Sequence, residues 1–411
     1  MKNIWIFNQY NMPPEYGHLN RHFNIGKYLK RLGYNPTVFV GSYLHNTGKQ
    51  MIYDKSLLNR YKNCDFQYYY IRTCDYSKNK AVRVYAMFEY YFNLLKVIKR
   101  FNKPDVIIGS SAHPLAAIAA IRLAKRYGCQ SIVEIRDLWP ESFVAYNIIK
   151  KNNPILKLLY AGEKWIYKKA DKLIFTMEGG KDYIIEKGWA KEHGGPIDIN
   201  KVYHINNGVD LEVFDYNKEH YVLEDEDLTE DGTFKVVYAG SIRLVNKVEK
   251  ILDVAKLLRS QNVKFLIWGD GDQLDPLRKR VEEEQINNVC FKGRVEKKYV
   301  PYITSKAQLN IILGDNLPLY RYGSSANKLF DYFASGRPTL NTKTYRYSLI
   351  NRYRAGLELE DSSAERVAES IMYFKNLNKS DYEEYCKNAR KAAQDYSFKN
   401  LTIKLIDIID S

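Results

Sequence analysis

Residues 105–135 read DVIIGSSAHPLAAIAAIRLAKRYGCQSIVEI, and this stretch decides the fold class. Asp105-Val106-Ile107-Ile108-Gly109 is a short β-rich run, an alanine-rich helical stretch follows from about Leu115 to Arg126, and Ser131–Ile135 is a second β-rich run. Two strands separated by a helix of more than ten residues form a parallel crossover. The same alternation continues on both sides. Ile4–Phe7 reads as a buried strand, followed by a loop with Pro13, Pro14 and Gly17, then helical periodicity from about Leu19 to Arg31 that stops at Gly33. Thr37–Val40 and Lys172–Phe175 are further strands. The first half is therefore expected to be a doubly wound parallel sheet.

The pattern restarts after Glu224–Gly232, an acidic connector poor in apolar residues. Strand Phe234–Tyr238, a loop at Gly240, a helix from about Val248 to Leu258 and strand Val263–Trp268 follow, the last ending in Gly269-Asp270-Gly271. Val289–Phe291 and Leu309–Leu313 read as strands and Asn327–Ala334 as a helix. The expected organisation is a first domain over 1–215, a connector over 216–232, a second domain over 233–395, and a final helix over 396–411 returning to the first. Open α/β sheets bind ligands outside the carboxyl ends of their strands, so a cleft between the two domains is the expected site.

Composition narrows the partners. With 411 residues, 45% hydrophobic and 27% charged, the chain is globular rather than disordered. No apolar run approaches the roughly 18 residues of a membrane span. Ile4–Phe7 with one preceding lysine is too short for a signal peptide. Five scattered cysteines without a C-x-x-C pair point to a reducing cytoplasm and against a disulfide framework or a structural zinc. Residues 1–200 hold 31 Lys and Arg against 16 Asp and Glu, whereas 201–411 hold 32 of each. The whole surplus of 15 sits in one half, which suggests that this half faces a polyanion.

Two loops in the second half suit phosphate. Gly240-Ser241-Ile242-Arg243 lies between a strand and a helix, with Arg243 and Lys247 in range to neutralise an anion. Gly323-Ser324-Ser325-Ala326-Asn327-Lys328-Leu329 opens a short helix whose free N–H groups around Ser325–Lys328 would bind an anion, Lys328 adding charge. Asp331 lies one turn on, placed to accept hydroxyl hydrogen bonds. The competing reading is a well-capped surface helix.

His204-Ile205-Asn206-Asn207-Gly208-Val209-Asp210 with Phe214 resembles the hinge signature of family 4 glycosyltransferases, which have the GT-B fold of two Rossmann-like domains facing across a cleft. The Asp270–Asp272 loop resembles that family's glycine turn. Arg136-Asp137-Leu138-Trp139-Pro140-Glu141-Ser142 and Lys328–Pro338 resemble its bacterial surface-polysaccharide branch, which includes N-acetylfucosamine transferases. The resemblance implies retaining transfer of a sugar from a UDP-sugar to a hydroxyl, with no prosthetic group and no essential metal. It implies a leaving-group site built from Gly240, Ser241, Arg243, Lys247, Gly269, Arg294, Ser325, Asn327, Lys328, Leu329 and Asp331, in which Arg243 and Lys328 stabilise charge. Tyr16-Gly17-His18 resembles the loop whose backbone nears the diphosphate, and His113 falls where the family places a histidine beside the donor sugar. Arg136, Asp137 and Glu141 are expected at the acceptor, Asp137 and Glu141 orienting it or stabilising the sugar cation, with Asp137 and His113 as catalytic candidates; Asp137 alternatively caps the following helix. Two positions depart from the pattern: Ser241 stands where the family has Arg and Asn246 where it has Lys, so their roles pass to Arg243 and Lys247 by proximity. Of the family's paired glutamates, Gly323 and Asp331 occupy the positions.

Asp225-Glu226-Asp227 and Asp270-Gly271-Asp272 match a metal-chelating D-x-D pattern. The first is expected to be solvated charge and the second the glycine turn. Tyr85–Phe101 and Asn153–Lys172 interleave aromatics with lysines, as interfacial helices do. The expected partners are thus a UDP-sugar, a lipid-linked saccharide acceptor and the anionic inner face of the cell membrane, in capsule or O-antigen synthesis. A UDP-N-acetylhexosamine 2-epimerase and a basic nucleic-acid-binding protein are the alternatives, although no nucleic-acid-binding motif is legible.

Overall fold

The computed structural model describes every residue except Lys78 and Ala112, the latter inside the Ser110–Pro114 stretch. The chain divides into two compact units, Met1–Asn206 with Phe398–Ser411, and Asn207–Ser397. In chain order the strands are β1 Asn3–Phe7, β2 Asn35–Gly41, β3 Tyr43–Leu44, β4 Lys49–Gln50, β5 Leu58–Arg60, β6 Gln67–Ile71, β7 Val106–Ser110, β8 Gln130–Ile135, β9 Lys172–Phe175 and β10 Val202–His204. The second unit adds β11 Phe234–Ala239, β12 Val263–Trp268, β13 Val289–Gly293, β14 Leu309–Ile312, β15 Thr339–Asn341 and β16 Gly356–Glu358.

The first sheet has the order β10-β9-β8-β7-β1-β2-β6-β5, parallel throughout except for the edge pair β5–β6. From β1 the chain builds outward through β2, then returns to β7 on the other side. The strand order therefore reverses between β1 and β7, which opens a crevice at their carboxyl ends. The interior strands are apolar on both faces because helices cover both. Ile4, Ile6, Phe7, Ile107 and Val133 are fully buried, and Gly109 admits the backbone of helix Pro114–Tyr127.

The second sheet is wholly parallel in the order β13-β12-β11-β14-β15-β16. Its reversal falls between β11 and β14. The expected solvated stretch at Asp225–Asp227 is instead anchored. Leu228 is buried, and Lys292 bonds Asp225 at 2.8 Å and Asp227 at 2.5 Å, with Lys264 also on Asp227. Lysines distant in sequence supply the partners, so local composition gave no sign of them. The final helix, Phe398–Asp410, packs on helix Arg21–Arg31 of the first unit, where Asp410 takes Lys2 at 2.7 Å and the Tyr34 hydroxyl at 2.8 Å.

Candidate functional site

In the second unit, the loops following β11 and β14 meet at the reversal. Helix Asn327–Ser335 begins beside them. Its N-cap is Ala326, which offers no side-chain acceptor, so the helix is not the well-capped surface element that was the competing reading. The N–H of Leu329 is bonded to Ala326 O, while the first-turn dipole is left for an anion. Asn327, Lys328 and Leu329 are the first three helical residues, and Ser325 precedes the cap with its carbonyl accepting from the Asn207 amide at 2.6 Å. The helix is seated by Tyr332, whose hydroxyl accepts from the Ala239 N–H at 3.0 Å.

Lys328 crosses from this helix to the end of β11. Its ammonium donates to the Tyr238 hydroxyl at 3.1 Å, sits 4.4 Å from that ring's centroid, and would lie 2.7 Å from any Cβ at Gly240. Glycine at 240 is what lets the lysine lie flat across the strand end. Tyr238 in turn donates to Ser241 O at 2.8 Å. Among the described residues no carboxylate pairs with Lys328. Burial, reinforced by the charge of Lys343, pulls its pKa down to about 7. One turn on, burial raises the Asp331 carboxyl, with Lys297 opposing the shift. A part-buried cation in the first turn of this helix suits a phosphate.

The remaining expected residues of this unit divide into two groups. Gly240 and Gly269 are interlocked at the ends of β11 and β12, with Gly240 N–H donating to Trp268 O at 3.0 Å and Gly269 N–H to Gly293 O at 2.8 Å. Ser241 is committed locally, its carbonyl and hydroxyl both accepting from the Asn246 amide at 2.8 Å. Lys247 is neutralised by Asp315 at 3.2 Å, with Glu249 at 3.8 Å, and Arg243 and Arg294 are exposed. The charge expected of Arg243 and Lys247 is thus drawn to solvent or to carboxylates, whereas Lys328 and its neighbour Lys343 have no carboxylate within ion-pair distance among the described residues. Asp270 and Asp272 are exposed on the glycine turn, where Asp270 accepts from the Gly271 N–H. Among the described residues no three His, Cys, Asp or Glu side chains gather as a metal would need.

In the first unit, Gly17 closes the turn Pro14–Tyr16 after β1, and His113 occupies the N-cap position of helix Pro114–Tyr127 after β7 without a side-chain capping bond, so both stand at the first sheet's reversal. His113 is buried between Tyr10 and Tyr90, with ring centroids at 5.7 and 6.1 Å, and neither nitrogen has a hydrogen-bond partner. Burial, then the Arg83 charge, lowers its pKa to about 3, so the imidazole is neutral at pH 7 and offers a donor and an acceptor. Asp137 follows β8. It reaches solvent but is ringed by protein, which raises its pKa against the pull of Arg136. The cap of the next helix is Pro140, so Asp137 has no capping role. Burial lowers the Arg136 pKa, with Glu134 opposing. Glu141 is committed within the unit, accepting from Tyr160 at 2.6 Å and pairing with Lys187 at 2.5 Å.

Sequence reasoning missed a buried network that holds this crevice. Arg21 donates to Glu134 at 2.8 Å and to the carbonyls of Asn206 and Ile205 at 2.5 and 3.0 Å. Glu134 also accepts from Ser110 at 3.1 Å and pairs with His22 at 3.2 Å. Burial alone would raise the Glu134 carboxyl, but Arg21, His22 and Arg136 together hold it well below the usual range.

The chain matches the family model described as Glycosyltransferase Family 4 over residues 20–213 and that described as Glycosyl transferases group 1 over residues 223–394. A probable glycosyltransferase of Pseudomonas aeruginosa, WbjE, is 23% identical over 210 residues, which are 51% of this chain. The chain spans about half the length of that curated relative, 50%. Among solved structures, sucrose-phosphate synthase from Thermosynechococcus elongatus superposes with a TM-score of 0.72 at 14% identity, covering 100% of this chain and 98% of that one. The Anabaena protein HepE, in complex with UDP and glucose, gives 0.64 at 13% identity with 100% of both chains covered. Two doubly wound sheets, each matched in order by one of two adjoining family models, place this chain among the group 1 glycosyltransferases of GT-B fold.

Proposed function

We propose that the protein is a retaining glycosyltransferase that moves a sugar, an N-acetylated hexosamine, from a UDP-sugar to a polyprenyl-diphosphate-linked acceptor in capsule or O-antigen synthesis. The observation that carries this reading is Lys328, a cation without a counter-ion among the described residues, at a helix start with no side-chain cap. The bond from the anomeric carbon to the diphosphate breaks with its electron pair leaving on the phosphate oxygen. The acceptor oxygen bonds to that carbon from the same face, and its proton passes to the departing phosphate. Lys328 and the helix start stabilise the departing charge, while Asp331, one turn on, suits a sugar hydroxyl. Thermal shift against UDP- and GDP-sugars tests the donor class, because a ligand that binds only the folded state raises its stability by mass action. A UDP-sugar is expected to raise the melting temperature; no response to any UDP-sugar would refute the reading.

The reaction as proposed needs no metal. Turnover is expected to survive EDTA, and restoration by manganese alone would instead recruit Asp270 and Asp272 as ligands.

We also infer that the first unit docks on the inner face of the membrane. Among the described residues no helix is long and apolar enough to cross one. Helix Lys80–Val97 exposes Tyr85, Phe88 and Phe92 on one face, and helix Pro154–Lys169 exposes Ile155, Leu158 and Trp165, Leu158 at 72%. Both helices pack on helix Pro114–Tyr127, so the two apolar faces belong to one layer of the unit. Lysines on an anionic surface contribute about 1 kcal/mol each, so four or five together give reversible binding. Changing Lys157, Lys164, Lys168 and Lys169 to glutamate is expected to abolish sedimentation with anionic liposomes and leave UDP-sugar binding intact. Equal sedimentation of variant and parent would exclude this face.

A further inference from the structure

We propose that Lys343 is a second cation for the donor diphosphate, gripping it together with Lys328 from opposite sides of the reversal in the second sheet. The inference rests on the donor reading above and adds to it a residue that no motif marks. Lys343 follows β15 and its backbone is fixed by Asn341, whose side chain accepts from the Lys343 N–H at 3.1 Å and donates to its carbonyl at 2.8 Å. Held there, the side chain lies across Gly314 at the end of β14. A Cβ at Gly314 would overlap Lys343 Cε, just as one at Gly240 would meet Lys328. β11 and β14 are hydrogen-bonded neighbours, so the strand ends that the two lysines cover, at Gly240 and Gly314, are adjacent.

Charge makes the case for a ligand. Several lysines of this unit have carboxylate partners: Lys256 has Glu284, Lys264 has Asp227, and Lys247 and Lys250 share Asp315. Lys343 has no such pair among the described residues. Its ammonium is 5.6 Å from the Tyr320 ring centroid, and the nearest acid that acts on it, Asp315, is already held by Lys247 at 3.2 Å and Lys250 at 3.4 Å. Burial depresses Lys343 as it does Lys328; the Lys343 charge adds to the depression of Lys328, while Asp315 opposes that of Lys343. Two part-buried cations without carboxylate partners among the described residues are costly until a polyanion joins them.

Calorimetric titration of the full chain with UDP and with uridine tests this, using the parent, Lys343→Met and Lys343→Gln. A charge-assisted hydrogen bond contributes about 1.5–3 kcal/mol, so the Kd for UDP is expected to rise about 10- to 100-fold in both variants while uridine binds as in the parent. Lys343→Gln keeps a polar end over Tyr320 and serves if the methionine variant fails to fold. Unchanged UDP affinity would overturn the proposal, as would an equal loss for uridine, which carries no phosphate. A parent that bound neither ligand would overturn the donor reading itself.

Discussion

Lys328→Ala is expected to lower turnover by about 10²-fold or more without loss of fold, because the lysine is the cation placed on the departing phosphate. The depressed pKa gives the prediction a second readout. In the free protein burial and Lys343 favour the neutral amine above pH about 7, so binding a phosphate dianion must restore a proton. The donor kcat/KM should therefore fall as pH rises through about 7, and binding measured in buffers of different ionisation enthalpy should show proton uptake. Lys328→Arg stays charged throughout and is expected to lose that alkaline limb whatever its absolute rate. Arg243→Ala, on an exposed loop, is expected to have a much smaller effect. Full turnover in Lys328→Ala, or an unchanged limb in Lys328→Arg, would remove the residue from the leaving-group site.

The largest expected effect on stability lies in the first unit. Arg21→Ala leaves the Glu134 carboxylate buried without its principal partner and frees the carbonyls of Ile205 and Asn206. Such a break costs about 3–5 kcal/mol, whereas Arg21→Met with Glu134→Leu, which removes both charges, should cost far less. Four of the five tryptophans, Trp5, Trp139, Trp165 and Trp189, lie in this unit, so their fluorescence during urea unfolding reports it selectively. The pH dependence has a definite sign. Glu134 is depressed relative to an unfolded carboxylate, so its contribution is complete above the ordinary carboxylate range and is lost as pH falls through its lower folded value. Equal unfolding midpoints for the single and double variants would show that the pair carries no such load.

Much of the architecture was legible because parallel strands buried on both faces are written as continuous apolar runs. Ile4–Phe7, Thr37–Val40 and Val263–Trp268 all fall within observed strands, and the helix expected from Leu115 to Arg126 spans Pro114–Tyr127. Short or tyrosine-rich strands were not legible. Gln67–Ile71 reads Q-Y-Y-Y-I, and Val202–His204 and Gly356–Glu358 are three residues each, too short for any periodicity. The site follows the same division. Gly240 and Lys328 could be read from loops that open helices. The fate of Lys247 depended on Asp315, 68 residues away, and the pairing of Arg21 with Glu134 spans 113 residues. Charges near in sequence are separated by the fold according to which find carboxylates, and local pattern carries no trace of that.

The packing of helix Phe398–Asp410 on the first unit has a consequence for the order in which the protein can be made. Helix Arg21–Arg31 emerges from the ribosome early, yet the surface that covers it is encoded after the whole of the second unit. At roughly 5–20 residues per second, the nascent first unit waits tens of seconds with that flank open. Lys2, Tyr34 and Lys172 meanwhile lack the contacts that Asp410 and the Ile408 carbonyl later supply. The second unit can close on residues already synthesised, so the half read first is the half finished last. A nascent chain halted within the second unit would present to chaperones and proteases an early half still missing its final helix.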